Sequence, residues 1–437
     1  MVQQNKLKKG INYFFYLGVL FISFCGFPFS LYGLGSAKPL STLFFLAYII
    51  LCVISANKTK ILRSYKFELF LIVGLLIISL LFAYNYSDFS FVSIGFNVLL
   101  SYVITSLSFF FFYYSNKEIL DYKAKTICKW ILYSYRFSAI FGILQFLSYK
   151  IVNIGFINSL IPYFVRDDIY IGDRIQFNFD EPSATAYNLF LVLAPTVILL
   201  KKYDYRFSLI DKITIGVLVI ISFLSFSMSF YLILIVFVLL YLIFVKSFRN
   251  KYRIVIVLVM SFFILCISYV YFNPMIMNNI LGSDEFSRKI VDRIENRDED
   301  QSILSRTGYW AVSIEAFRKS PLVGYGAGSF QKVLKDNISD IDSQFVTREL
   351  INTTKVKGLQ SQSIYCTVLA EYGLLGIVWL LCFLYPFRKV RKGWLPVFVL
   401  VFMIQSIQLQ WLNVCSVILV YKLLSCPNVQ RKLGLKV

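Results

Sequence analysis

Residues 211–246 read DKITIGVLVIISFLSFSMSFYLILIVFVLLYLIFVK. Between Lys212 and Lys246 there is no charged side chain. A helix crossing the hydrocarbon core of a bilayer needs about 20 mostly apolar residues. The stretch therefore reads as two crossings, 211–227 and 229–246, joined by a charge-free turn at Ser227–Ser229. Outward from it the same pattern recurs near 11–33, 40–57, 67–84, 91–114, 130–150, 183–200, 253–272, 362–386, 394–409 and 411–426, about twelve runs in all. The last two are short and read either as one long helix or as a hairpin turning near Gln408–Asn413. Lys6, Lys8 and Lys9 precede the first run, and no clear small-residue cleavage site follows it, so it reads as an uncleaved first helix.

Composition points the same way. Of the 437 residues 58% are hydrophobic and only 16% charged, with a mean hydropathy of +0.69. Soluble globular chains carry about 25% charged residues, so a water-soluble protein is excluded and a lipid bilayer is the natural solvent. The expected fold is an all-α polytopic membrane protein. Histidine is absent. That removes His-ligated zinc, a Ser-His-Asp triad, a proximal-His haem and an imidazole base. Cysteines such as Cys25, Cys52, Cys266 and Cys382 lie inside apolar runs and read as small core residues. No carboxylate cluster with metal-ligand spacing is present, so neither a metal nor a cofactor is expected.

The formal net charge of +20 is distributed as a topology signal. Lys and Arg mark the cytoplasmic loops of membrane proteins. Alternate loops hold Lys58, Lys60 and Arg63; Lys117, Lys123, Lys125 and Lys129; Lys201, Lys202, Arg206 and Lys212; Lys246, Arg249, Lys251 and Arg253; and Arg388, Lys389, Arg391 and Lys392. Arg431, Lys432 and Lys436 extend the series into the tail, while the intervening loops are nearly bare. This puts both termini in the cytoplasm. No clustered basic face suited to nucleic acid is visible, so nucleic acid is excluded as a partner.

Two polar segments fall on the outer side, 151–182 and 273–361, and they divide the chain. Residues 1–272 carry nine helices with the external loop 151–182. Residues 273–361 form the large external loop, and 362–437 carry three more helices and a tail. In the large loop Phe286, Ile290 and Ile294 recur at helical spacing, as do Trp310, Ile314 and Phe317. These stripes read either as amphipathic helices on the bilayer or bundle surface, or as a lid.

The loop also holds Ser305-Arg306-Thr307-Gly308-Tyr309-Trp310, then Pro321-Leu322-Val323-Gly324-Tyr325-Gly326-Ala327-Gly328. The glycines permit close backbone approach, but no strand precedes them, so a dinucleotide fold is excluded. A guanidinium such as Arg306 at a membrane boundary suits bidentate capture of phosphate, or a headgroup contact. Two charges fall inside runs, where burial is costly. Arg136 lies about 9 Å in from Trp130, and Glu371 about 14 Å from Gln362. Their depths allow an ion pair between them, or a chemical role for Glu371.

These motifs resemble those of the O-antigen polymerase and ligase family of bacterial membrane glycosyltransferases. Members typically show an Arg, a nearby Trp and a Pro-Leu-x-Gly-x-Gly element in a large external loop. After it comes a His-Asn pair and Glu-x-Gly-Leu-x-Gly, here Gln362-Ser363-Ile364-Tyr365 and Glu371-Tyr372-Gly373-Leu374-Leu375-Gly376. Before the sixth helix the family shows an Arg, an aromatic and a Pro-Asn or Pro-Ser step. Here that is Arg174-Ile175-Gln176-Phe177-Asn178-Phe179 followed by Glu181-Pro182-Ser183. Gly142-Ile143-Leu144-Gln145 is a further pattern common in the family. Gln362 stands where the histidine usually does, which argues for the polymerase branch over the lipid A-core ligase branch. Ser227-Met228-Ser229-Phe230 stands where a Ser-Arg is often found, so no arginine is carried over there.

The resemblance implies a GT-C-like glycosyltransferase of about twelve helices, with one large external loop between helices 9 and 10. It acts in the bacterial plasma membrane on repeat units linked to undecaprenyl pyrophosphate and polymerises them into O-antigen or capsule. A ligase is the same-class alternative, and a flippase or transporter for the lipid-linked sugar the alternative of another class. Implied partners are the lipid-linked oligosaccharide, membrane lipid and a chain-length regulator protein. Arg174 and Arg306 are the expected stabilisers of the leaving pyrophosphate, and Glu181 the expected base. Asn178, Asp180, Ser183, Trp310, Tyr325, Gln362, Glu371 and Arg136 complete the candidate substrate contacts.

Overall fold

A computed structural model describes residues 2–24, 39–55, 102–114, 120–151, 155–160, 164, 175–179, 183–223, 225, 227–245, 301–354, 361, 363–387, 393–407 and 414–434. Among these residues the regular structure is helical. The first four helices are α1 (Val2–Leu20), α2 (Pro39–Ser55), α3 (Tyr102–Tyr114) and α4 (Leu120–Lys150). Short α5 (Gly155–Leu160) precedes α6 (Ala184–Lys202), α7 (Leu209–Phe223) and α8 (Met228–Phe244). The segment 301–354 contributes α9 (Gln301–Lys319), α10 (Phe330–Asn337) and α11 (Arg348–Thr353). The chain ends with α12 (Ile364–Leu384), α13 (Trp394–Gln405), α14 (Val414–Ser425) and α15 (Pro427–Lys432).

Three described stretches are long and apolar enough to cross a membrane: Lys123–Tyr149, Ala184–Lys202 and Ile364–Leu384. The expected runs at 67–84 and 253–272, and the helix expected around Phe286–Ile294, lie outside the described residues. The last two runs are two helices, because α13 closes in a turn at Ser406–Ile407 before α14 begins. The run expected to start at 130 starts earlier. Lys123, Lys125 and Lys129 belong to the first turns of α4, where good helix formers with flexible stems extend the helix beyond its apolar part.

α4 shows why these helices belong in lipid. Phe137, Ile140, Ile143 and Leu147 are exposed along one face, with Ile140 54% accessible. Ser134, Ser138, Gln145 and Ser148 are buried on the other. α12 repeats the pattern with Leu374, Val378 and Leu381 outward. A water-soluble helix buries its apolar stripe. Here the polar side turns inward, where small hydroxyls join helices that share no hydrophobic driving force. Ser23 and Ser134 exchange hydrogen bonds of 2.7–3.2 Å, Ser41 Oγ donates to the Gly18 carbonyl at 2.7 Å, and Ser108 Oγ donates to the Phe45 carbonyl at 3.1 Å. The protein is a helical, membrane-integral protein.

Three of the basic stretches meet on one face. Lys125 Nζ donates to the Tyr203 carbonyl at 2.8 Å. Lys129 lies 4.9 Å over the Tyr205 ring, and Lys432 lies 5.9 Å over that of Tyr203. At the other end α12 and α13 form an antiparallel pair, with the Ser406 carbonyl accepting from the Ile364 amide at 3.0 Å and from Ser363 Oγ at 3.0 Å.

The segment 301–354 builds a small core of its own from Tyr309, Val312, Ala316, Tyr325, Phe330, Val333, Leu334 and Leu350, joined by Cys366 and Ala370 of α12. The buried face of α9 is therefore Tyr309–Val312–Ala316. It differs from the expected Trp310–Ile314–Phe317 stripe: Ile314 is exposed and Trp310 half-buried. Both stripes have helical spacing. The one that carries Gly308 wins, because a Cβ there would lie 2.7 Å from the Phe345 carbonyl oxygen and 2.8 Å from the Leu350 side chain, so only glycine admits such close packing.

Candidate functional site

Two of the expected motifs form one structure. α12 is not a regular helix: Val368–Tyr372 forms a π turn, and Gly373 then adopts φ 57°. Such turns recur at functional sites. The break frees the carbonyls of Ala370 and Glu371 and the amides of Leu374 and Leu375. The Pro321–Gly328 turn supplies their partners. Tyr325 N–H donates to the Ala370 carbonyl at 2.9 Å, and Gly326 N–H to the Glu371 carbonyl at 2.9 Å. In return Leu374 N–H donates to the Pro321 carbonyl at 2.8 Å, and Leu375 N–H to the Leu322 carbonyl at 3.2 Å. Freed backbone groups at membrane depth require such replacements.

Only glycine permits this approach. A Cβ on Gly324 (φ 66°) would sit 2.4 Å from the Glu371 carbonyl carbon, and one on Gly373 would sit 2.6 Å from the Pro321 carbonyl oxygen. The Glu371 side chain completes the clasp. It is buried, and its carboxylate accepts from Gly328 N–H at 2.9 Å and from the amide of Phe330, the first residue of α10. Ala327 beside it joins the core of the helical bundle.

The second motif region is a tight turn held inside protein, closed by Phe179 N–H donating to the Gln176 carbonyl at 3.1 Å. Ile175–Phe179 are all fully buried. Gln145 on α4 donates to the Phe177 carbonyl at 2.7 Å and accepts from the Phe177 and Gln176 amides at 2.9 and 3.1 Å. Phe177 takes φ 57°, and its ring fills the space over Gly142, where a Cβ would lie 2.4 Å from the ring. Asn178 Nδ2 donates to the Ser23 carbonyl at 3.3 Å. α6 begins just beyond, with Ser183 at its N-cap and a π turn at Asn188–Leu193. Tyr135 hydroxyl donates to Asn188 Oδ1 there at 2.7 Å.

The other expected residues are placed as follows. Arg306 lies in α9, half-buried, four residues before Trp310. Trp310 meets the Tyr365 ring of α12 at 6.2 Å. Tyr325 is buried in the core that joins α9 and α10. Arg174, Asp180, Glu181 and Gln362 lie outside the described residues. Arg136 does not pair with Glu371. Its Nη2 meets Asp211 Oδ1 of α7 at 2.7 Å, while Asp211 Oδ2 accepts from the Tyr205 and Ser208 hydroxyls and the Ser208 amide. Matching depth brought Arg136 and Glu371 together on paper; α7 against α4 decides the partner, and Glu371 is engaged by backbone. Lys319 and Asp340 tie the end of α9 to the turn after α10, and the ammonium holds that carboxyl below the usual carboxylate range. Both ends are open to solvent, so the pair contributes little.

Sequence reasoning noted Gly142 and Gln145 only as a pattern and missed their role. The signal available was a glutamine inside an apolar run, three residues from a glycine. It also missed Asp211, whose place next to a basic loop resembled an ordinary helix-start charge.

The segment 213–381 matches a family model described as O-antigen ligase. No curated protein matches the chain. The matched segment contains Arg306, the Pro321–Gly328 turn and Glu371–Gly376, whereas Gly142–Gln145 and Arg174–Ser183 precede it. The segment 213–381, which contains the interlocked turn and the broken helix, is in this respect similar to the O-antigen ligase family.

Proposed function

We propose that the protein polymerises oligosaccharide repeat units linked to undecaprenyl pyrophosphate, at the outer face of a bacterial plasma membrane, with both termini cytoplasmic. The observation that carries this reading is the clasp between Pro321–Gly328 and the broken α12. It holds the body containing Arg306 against a membrane-spanning helix, where a lipid-linked pyrophosphate would present its sugar.

In the proposed step a hydroxyl oxygen of the acceptor sugar attacks the anomeric carbon of the donor. The bond from that carbon to the pyrophosphate oxygen breaks, and its electron pair leaves with the polyprenyl pyrophosphate. The hydroxyl proton passes to Glu181 as general base. Arg174 and Arg306 stabilise the charge that grows on the phosphates, an effect strongest in a low-dielectric site. Asn178, Asp180, Ser183 and Gln362 orient sugar hydroxyls, and Trp310 offers an aromatic face. Pyrophosphate is a good leaving group, so the reaction needs no metal, and chelation leaves it unchanged. A chain-length regulator is the partner to test by co-purification.

The second reading is a ligase, which the description of the matched family model favours. Gln362 favours polymerase, because a glutamine cannot act as a base near neutral pH. Purified protein incubated with lipid-linked repeat units separates the outcomes. A product ladder means polymerase, transfer to lipid A-core means ligase, and translocation without new bonds means a transporter. Arg306→Ala is expected to lower the polymerisation rate at least 100-fold without loss of expression; normal ladders from that variant would sink the proposed chemistry.

A further inference from the structure

We propose that Glu371 is a positioning residue: from inside a membrane-spanning helix its carboxylate caps the start of an external helix and so fixes the body that carries Arg306. The proposal rests on the role given to Arg306 above. Glu371 lies about 10 Å along the axis from the start of α12 and is only 2% exposed. Its described partners are backbone amides, those of Gly328 at 2.9 Å and of Phe330 at the first position of α10. The first amides of a helix have no intrahelical acceptor, and the Ser329 side chain does not cap them: its hydroxyl donates back to the Gly326 carbonyl at 2.6 Å. A carboxylate at this end also meets the positive pole of the helix. Glu371 therefore does for α10 what a local cap would do, but from another element 43 residues away.

The consequence reaches Arg306 through packing. α10 sits against α9 by Phe330 on Tyr309, ring centroids 5.7 Å apart, and by Val333 and Leu334 on Val312 and Ala316. Arg306 lies one turn from Tyr309 on α9. Four backbone bonds of the clasp hold the turn itself; the Glu371 side chain carries hydrogen bonding past Gly326, to Gly328 and to the head of α10, beside the apolar packing of Ala370 and Cys366. Withdrawing the carboxylate frees α10 to shift, and α9 with it. A group that acts on charge developing in the transition state then loses its geometry, so the loss falls on kcat while KM changes little.

The test uses the full chain in lipid nanodiscs with Glu371→Ala, Glu371→Gln and Glu371→Asp, and Arg306→Ala as reference. Steady-state polymerisation and amide hydrogen exchange across 324–337 are read together. Expected for Glu371→Ala is a kcat loss of tenfold or more with KM within threefold, and faster exchange confined to 324–337. Glu371→Gln keeps an acceptor oxygen at the same reach and stays within about threefold of the parent. Glu371→Asp, one methylene short, falls between and serves if the alanine variant fails to fold. Unchanged exchange in Glu371→Ala, or faster exchange with unchanged kcat, overturns the proposal. So does a glutamine variant that folds yet is as impaired as alanine. If Arg306→Ala is fully active the chemical reading fails instead, and the exchange data still decide whether Glu371 caps α10.

Discussion

Arg136 and Glu371 sit at depths that would let them pair, yet each is engaged elsewhere. Arg136 is a little under one-third exposed and meets a fully buried Asp211 that collects four hydrogen bonds. Removing one partner of a buried pair leaves the other charge uncompensated, which costs several kcal/mol in full burial and less here. Thermal unfolding of Arg136→Ala, Asp211→Asn and the double variant should therefore show coupling of about 1 kcal/mol. The same cycle for Arg136 and Glu371 should give none. Spacing along a helix told that both charges were costly; it carried no information on which helix faces which. That is why the charges were legible in the sequence and their partners were not.

At the scale of elements, two short motifs turn out to be struts. Gln145 holds the Gln176–Phe177 backbone with three hydrogen bonds, and Gly142 makes room for the Phe177 ring. Gln145→Leu leaves three buried polar groups unmet, each costing about 1–3 kcal/mol before relaxation. We expect a lowered melting temperature and accelerated amide exchange over 175–179. At Gly373, φ 57° with ψ −142° is a glycine conformation, so alanine there carries about 1–3 kcal/mol of backbone strain. It also collides with the Pro321 carbonyl. Gly373→Ala should undock the Pro321–Gly328 turn, read as new protease cleavage between 320 and 330 and loss of the proposed polymerisation. The presence and order of these motifs were visible in the sequence. Their mutual contact was not, because hydrogen bonds between a turn and a helix break use backbone atoms that every residue carries.

For the whole molecule, the outward stripes on α4 and α12 make lipid the medium in which this fold is stable. Val378→Arg on the outer face should cost about 2.5–3.5 kcal/mol of insertion free energy, measurable as reduced membrane-integrated protein. Among the described residues the apolar runs are helices, because a long apolar run permits few alternatives. On α9 two helical stripes compete, and packing beside Gly308 decides that Tyr309–Val312–Ala316 is the one buried in protein.

The clasp on α12 also sets an order of manufacture. The Pro321–Gly328 turn emerges from the ribosome before the helix that must receive it. The amide of Ile364 at the head of that helix is met only by Ser406, later still. The body that carries the turn thus waits for α12, and the head of α12 for the residues that close α13, before clasp and seat are complete.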